Sequence, residues 1–114
     1  MKIELLYTAD CAHYVTARKL LNEVVAEEKI ATTIEEIRVM NEQDARRLEF
    51  LGSPSIRVEG MDVESFSTQP RKSSLRCRLY RENGSAFGYP PKNMIRSTIL
   101  AVQDVEEFGA VGCC

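Results

Sequence analysis

The sequence has little of what several classes of protein require. It contains no tryptophan, one histidine, and nearly balanced charge, with 15 Lys and Arg against 17 Asp and Glu. Such a balance excludes a global field that would attract nucleic acid or an anionic membrane. No apolar run approaches the roughly 20 residues of a membrane-spanning helix, and the alternating first residues differ from a signal peptide. We therefore expect a cytoplasmic protein that binds neither nucleic acid nor membrane.

Cysteine is present, but not in a spacing that is typical of a structural metal site. The four cysteines are Cys11, Cys77, Cys113 and Cys114, and no two of them are separated by two residues. The single histidine, His13, cannot complete a zinc site of the usual spacing. A disulfide framework is not expected in a reducing compartment. Each cysteine is therefore a buried core residue, a reactive thiol or a soft-metal ligand.

The composition that remains is that of one globular domain. The chain has 114 residues, of which 44% are hydrophobic and 28% charged, enough for a core without metal or disulfide staples. The hydrophobic pattern predicts strands at 2–8, 32–39, 55–59 and 75–81, and helices at 13–28, from the N-cap Asn41 to Leu51, and from Pro91 or Asn93 to Glu106.

The order of these elements predicts the fold class. It is βαβαββα, which indicates an α/β protein with a four-stranded mixed sheet and flanking helices. The third and fourth strands, with no helix between them, are expected to pair antiparallel. The domain is expected to comprise residues 1–107, and residues 108–114 are expected to form a flexible tail that contains two of the cysteines.

The region before and within the fourth predicted strand leaves several alternatives open. Residues 60–74 are more than a turn between antiparallel strands needs, so they form either a recognition loop or a surface insertion. Cys77 shares strand parity with Leu75 and Leu79, which predicts a buried core thiol, with a functional thiol or metal ligand as the alternative. A basic stretch, which either binds an anion or forms a solvated strand face, consists of Arg71, Lys72, Arg76, Arg78 and Arg81.

Cys11 stands where the first predicted strand gives way to the first helix. Unpaired N–H groups and the helix dipole favour negative charge there, so we expect a reactive thiol rather than a small core residue. Pro54 opens the third strand, where it cannot donate to the ladder, and a cis Ser53–Pro54 bond explains its position. In the predicted order, Cys11 and Pro54 lie at the same end of neighbouring strands.

These residues resemble the thioredoxin and glutaredoxin superfamily, in which a cysteine follows the first strand and a cis-proline opens the third. Tyr7 and Cys11, with the runs 50–58 and 76–80, are similar to a small, poorly characterised thioredoxin-like group. That group has selenocysteine-containing relatives and is often labelled as alkylmercury-lyase-like. The resemblance implies a thioredoxin-like fold and Cys11 as the catalytic thiol. It implies a substrate groove at His13, Tyr14, Ser53 and Pro54.

Two residues depart from the pattern of these families. Tyr14 stands where a thioredoxin has its second cysteine, and Ala12 stands where the narrower group often has proline. A dithiol mechanism within residues 11–14 is therefore not expected. A monothiol remains, which can form a mixed disulfide, a sulfenic acid or a metal thiolate. Its expected partner is a thiol or disulfide substrate, either a small molecule or a protein.

The last two cysteines suggest a second chemistry. Vicinal thiolates suit soft ions, and Cys113-Cys114 resembles the terminal cysteine pair of mercuric reductases, which implies Hg(II) as the ion carried. No resident cofactor is firmly implied. The last helix is expected to begin at the Cys11 end of the sheet and run away from it, so the tail would reach a second copy in a homodimer more easily than Cys11 of its own chain.

Three functions, enzymatic or not, therefore stay open. One is a monothiol protein that uses Cys11 for thiol–disulfide exchange or soft-metal handling. Another is a heavy-metal accessory that binds through Cys113 and Cys114. The last is a non-catalytic interaction module with this fold, since one fold serves many functions.

Overall fold

A four-stranded sheet with helices on both faces organises the chain. The computed structural model describes residues 1–64, 75 and 77–112, with the side chains of the last helix described as far as Val105. The elements are β1 (Lys2–Tyr7), α1 (Tyr14–Glu27), β2 (Thr33–Arg38), α2 (Glu42–Arg47), β3 (Ser55–Val58), β4 (Met61–Asp62), β5 (Tyr80–Glu82), β6 (Ser85–Phe87) and α3 (Lys92–Gly112).

The strand order of the main sheet is β2-β1-β3-β4. β1 and β2 are parallel over their whole length, and β3 runs antiparallel to both neighbours. This confirms the predicted α/β class with a four-stranded mixed sheet. Because β3 is antiparallel to β1, the end of β1 at Tyr7 meets the beginning of β3 at Ser55. We call this boundary, together with the end of β2 at Arg38, the Cys11 edge of the sheet.

Side chains alternate along β1 and so supply two separate cores. Ile3 and Leu5 belong to one cluster, and Leu6 belongs to another on the opposite face. The first cluster joins β1 and β3 to both long helices, α1 and α3. The second is smaller and lies under α2; its members are Leu6, Val39, Ala45 and Phe50.

The helices form where spacing and capping favour them. In α1 the buried residues Ala17, Leu21 and Val24 recur every three to four positions, as in an amphipathic helix. α2 begins as predicted at the N-cap Asn41, whose side chain accepts a hydrogen bond from the Asp44 N–H at 2.8 Å. α2 is shorter than predicted and ends at Arg47.

The prediction for the fourth strand of the sheet is wrong. The antiparallel neighbour of β3 is β4, which follows immediately after a tight turn at Glu59-Gly60 with φ values of 51° and 79°. Two consecutive positive φ angles are typical of the type I′ turn in hairpins. Residues 80–82 instead pair with β6 in a separate hairpin. The described elements therefore follow the order βαβαββββα. The two additional strands are β4, directly after Gly60, and β6, which follows β5 in the second hairpin.

The last helix differs from its prediction in its length and in its position. It begins at Lys92, as expected, but continues to Gly112, so five of the seven residues expected in the tail are helical. Its first turns lie beside the end of α1, not at the Cys11 edge. Lys92 Nζ is 2.5 Å from Glu27 Oε2, and Arg96 contacts both Glu27 and Glu28. The basic first turns of α3 therefore form ion pairs with the acidic end of α1.

Candidate functional site

Cys11 lies in the turn that connects β1 to α1. Its N–H donates to the Thr8 carbonyl oxygen at 3.2 Å, and its side chain is half-buried. α1 begins at Tyr14 with His13 as its N-cap, so Cys11 precedes the helix rather than belonging to its first turn. The thiol is therefore not sealed in the core.

Pro54 lies at the same edge, as the sequence predicted. The Ser53–Pro54 peptide bond is cis, and the following residue, Ser55, pairs with Leu6 of β1. The Thr8 N–H donates to Ser53 Oγ at 3.0 Å. Ser53 is 2% exposed and Pro54 is buried. Both residues are therefore buried at the Cys11 edge, and the Ser53 hydroxyl accepts a hydrogen bond from the turn that carries Cys11.

His13, an expected groove residue, packs against the segment that follows β6. Its exposed ring lies 5.9 Å from the Tyr89 ring, centroid to centroid. A Cβ placed on Gly88 would come within 2.4 Å of two ring atoms of His13, so a glycine at this position is what allows the close approach. The imidazole therefore borders the Cys11 turn on the side of residues 87–89.

Tyr14, the other expected groove residue on α1, is directed at the sheet. Its ring stacks on Tyr7, with centroids 4.0 Å apart and planes 14° from parallel. Its hydroxyl donates to the Glu36 carboxylate on β2, which Arg18 also approaches at 3.9 Å. This hydrogen bond, with partial burial, raises the pKa of Tyr14 to about 12. The Tyr14 hydroxyl thus holds its proton at neutral pH and secures the start of α1.

The Tyr14–Glu36 bond should give stability a specific alkaline dependence. The folded protein holds the Tyr14 proton to about pH 12, whereas the unfolded chain releases it near pH 10.0. The contribution of this hydrogen bond to the free energy of unfolding is complete below pH 10. It is lost as the pH rises through the pKa that Tyr14 has in the folded protein. Between these values, wild type should lose more free energy of unfolding than Tyr14→Phe, measured by urea denaturation. Parallel curves for the two proteins would show that the bond does not couple to folding.

Cys77 and its neighbours have the opposite burial from that predicted. Cys77 is exposed and Leu79 is 58% exposed, whereas Arg78 is 4% and Tyr80 0% exposed. The predictions of a buried core thiol at Cys77 and of a solvated strand face that includes Arg78 are therefore wrong. A strict alternation fits either parity equally well, and the aromatic Tyr80 on the arginine side was the signal for the correct one.

The buried Arg78 guanidinium is held by partners from three elements. Nη1 and Nη2 donate to the two carboxylate oxygens of Asp62 at 2.7 and 2.6 Å. Further contacts reach Ser55 Oγ at 3.0 Å and Glu64 at 3.4 Å, and the guanidinium lies 4.3 Å above the Tyr80 ring. Burial alone would lower the pKa of Arg78, but the Asp62 bond and surrounding negative charge raise it. The group stays charged and fixes the chain at residue 78.

Leu75, Cys77 and Arg78 lie at the Cys11 edge. Leu75 packs on the small core under α2 and lines a cleft of about 240 Å³ whose other walls are residues 8–10 and 38–40. Two residues later, Cys77 forms a parallel β-bridge with Ser53, and the Arg78 N–H donates to the Ser53 carbonyl at 3.0 Å. The cleft lies beyond the carboxyl ends of the parallel strands, where α/β proteins generally bind ligands.

The other predicted site residues are not brought into this arrangement. Cys113 and Cys114 lie outside the described residues, as do Arg71, Lys72 and Arg76 of the basic stretch. Within the described part of the chain, no group of three or more His, Cys, Asp or Glu side chains could hold a metal ion. The two thiols that the structure describes are Cys11 and Cys77.

Comparison with known proteins supplies no relative. The chain matches no protein-family model, no curated protein and no solved structure. In the part of the chain that the structure describes, no helix is both long enough and apolar enough to cross a membrane.

Proposed function

We propose that this is a thioredoxin-like thiol protein in which Cys11 forms mixed disulfides with thiol or disulfide substrates. The observation that carries the proposal is the half-buried Cys11 in the β1–α1 turn, beside the start of β3 at Ser53 and Pro54. The position of Cys11 after β1 and that of Pro54 before β3 support it, because both are part of the resemblance.

The residues around Cys11 suit the attack of a thiolate on a disulfide. The Cys11 thiolate attacks one sulfur of the substrate, a Cys11–substrate disulfide forms, the substrate S–S bond breaks, and the leaving sulfur departs with the electron pair as a thiolate. Thr8 and Ser53 hold the turn that carries the nucleophile. The adjoining cleft offers Asp10 and Arg38, a carboxylate and a guanidinium, to polar groups of the substrate.

Competition between the two described thiols tests the proposal. Oxidised glutathione is added to the protein, and the modified cysteine is identified by peptide mass spectrometry at short times. Cys77 is the more exposed thiol, so accessibility alone favours Cys77. We expect Cys11 to be modified first, and Cys11→Ser to abolish the rapid phase while Cys77→Ser preserves it.

The other outcomes favour the alternatives. Modification that simply follows exposure, with Cys77 first, contradicts the proposal and favours a non-catalytic module. Failure of Cys11 to react, combined with stoichiometric Hg(II) binding that is lost in Cys113→Ser/Cys114→Ser, favours the heavy-metal accessory. Either result leaves the fold unchanged and removes thiol–disulfide exchange at Cys11.

A further inference from the structure

A second accessible thiol lies at the same edge of the sheet as Cys11. The β-bridge between Ser53 and Cys77 places Cys77 beside the first residues of β3. On the other side of Ser53 is Thr8, whose N–H donates to Ser53 Oγ. Thr8 and Cys77 therefore flank the same residue, and Cys11 is hydrogen-bonded back to Thr8.

The separation that these contacts allow is short. Neighbouring strands lie about 4.8 Å apart, so two such spacings place the Cys77 backbone roughly 10 Å from that of Thr8. Leu75, two residues before Cys77, itself lines the cleft with Thr8 and Asp10 of the turn that carries Cys11. A disulfide needs Cα atoms within about 4.4–6.8 Å, so the inference requires the 8–11 turn to move towards Cys77 once Cys11 has reacted.

Cys77 is exposed but not loosely attached. The Arg78 N–H binds the Ser53 carbonyl, and the Arg78 side chain is anchored to Asp62 and Ser55. Leu75 is packed on the second core. The exposed thiol of Cys77 is therefore next to a residue, Arg78, that is anchored at the Cys11 edge.

We propose that Cys77 is the resolving thiol of Cys11. This rests on the proposed function, and it assigns to residue 77 the role that Tyr14 cannot fill. A disulfide substrate first forms the Cys11 mixed disulfide and releases one thiolate. The Cys77 thiolate then attacks Cys11 Sγ, the Cys11–Cys77 bond forms, and the second substrate thiolate leaves. The protein dithiol is oxidised by two electrons and the substrate disulfide is reduced to two thiols.

The test uses the full chain carrying Cys113→Ser and Cys114→Ser, so that Cys11 and Cys77 are its only thiols. After addition of oxidised glutathione, non-reducing peptide mapping should show a transient glutathionyl adduct on Cys11 and then a Cys11–Cys77 disulfide. Adding Cys77→Ser should leave the Cys11 adduct as the stable end product. Adding Cys11→Ser should abolish the intramolecular disulfide.

A matched control separates position from the mere presence of a second thiol. Ala31 is exposed and precedes β2 at the opposite edge of the sheet. Ala31→Cys in the Cys77→Ser background restores the thiol count, and we expect it not to release glutathione from Cys11 within the chain.

Three results overturn the inference in different ways. A glutathionyl adduct that persists on Cys11 while Cys77 is present rejects Cys77 as the resolving thiol and leaves the proposed function intact. Absence of any adduct or disulfide at Cys11 rejects both. Equal release by Cys77 and by Ala31→Cys also rejects the inference, because position would then be irrelevant.

Discussion

Replacement of Arg78 by methionine should lower the free energy of unfolding by about 3–5 kcal/mol, as breaking a buried ion pair typically does. The variant leaves Asp62 and Glu64 without the guanidinium that now binds both. The hydrogen bond to Ser55 Oγ is lost as well. Methionine fills much of the same volume but offers no donor, so the loss comes mainly from the Asp62 carboxylate left without its guanidinium rather than from a cavity. Urea denaturation monitored by circular dichroism measures it.

Arg81→Met is the matched control for this prediction. Arg81 is exposed on β5, so the same change there should alter stability by no more than about 0.5 kcal/mol. Removing the stranded carboxylate as well, in Arg78→Met/Asp62→Leu, should recover part of the loss. Equal stability of the Arg78 and Arg81 variants would show that the buried ion pair contributes nothing, and full additivity in the double variant would show that Arg78 and Asp62 are not coupled.

Replacement of Phe50 by alanine should lower the free energy of unfolding by a similar amount, about 3–5 kcal/mol. Phe50 is 0% exposed and is the largest member of the small core under α2. That core has few other members, so the cavity cannot be filled by rearrangement of many neighbours. Because Leu75 packs on the same cluster, the variant should also slow formation of the Cys11–Cys77 disulfide. The measurements are urea denaturation and the rate of non-reducing peptide cross-linking.

Phe87→Ala provides the comparison. Phe87 is only partly buried in the β5–β6 hairpin. Phe87→Ala therefore removes the same side chain as Phe50→Ala but with a smaller loss of buried surface. Phe50→Leu should lie between wild type and Phe50→Ala because less volume is lost. If Phe50→Ala were no less stable than Phe87→Ala, the cluster under α2 would not be a second core, and the account of how Leu75 is held would fail.

Local patterns were sufficient to predict the first half of the fold. The alternation of β1, the helical spacing in α1 and the Asn41 cap each act over a few neighbouring residues, and each is found where it was expected. The sequence also predicts Cys11 and Pro54 at the same end of neighbouring strands. The structure places the end of β1 and the start of β3 at one edge because β3 runs antiparallel to β1.

The second half was less predictable because its decisive contacts are distant in sequence. The hairpin at Glu59-Gly60 has a sequence signal of only two residues. The alternation at residues 75–81 is longer and therefore predicts the strand beside β3 there instead. The acids that hold Arg78 are about 14 to 16 positions away. Alternation within 75–81 fits either parity, and the aromatic Tyr80 is a single local signal for the correct one, so the burial of Arg78 is decided by the distant carboxylates that bind it.

The sequence by itself determined an α/β chain with a cysteine after its first strand and a proline opening its third, because periodicity and capping are local properties. Only the tertiary structure decided which face of residues 77–80 is buried. An alternating strand is symmetric with respect to its two faces, and a guanidinium enters a core only where folding brings carboxylates to meet it. That choice exposes Cys77 at the edge where Cys11 lies.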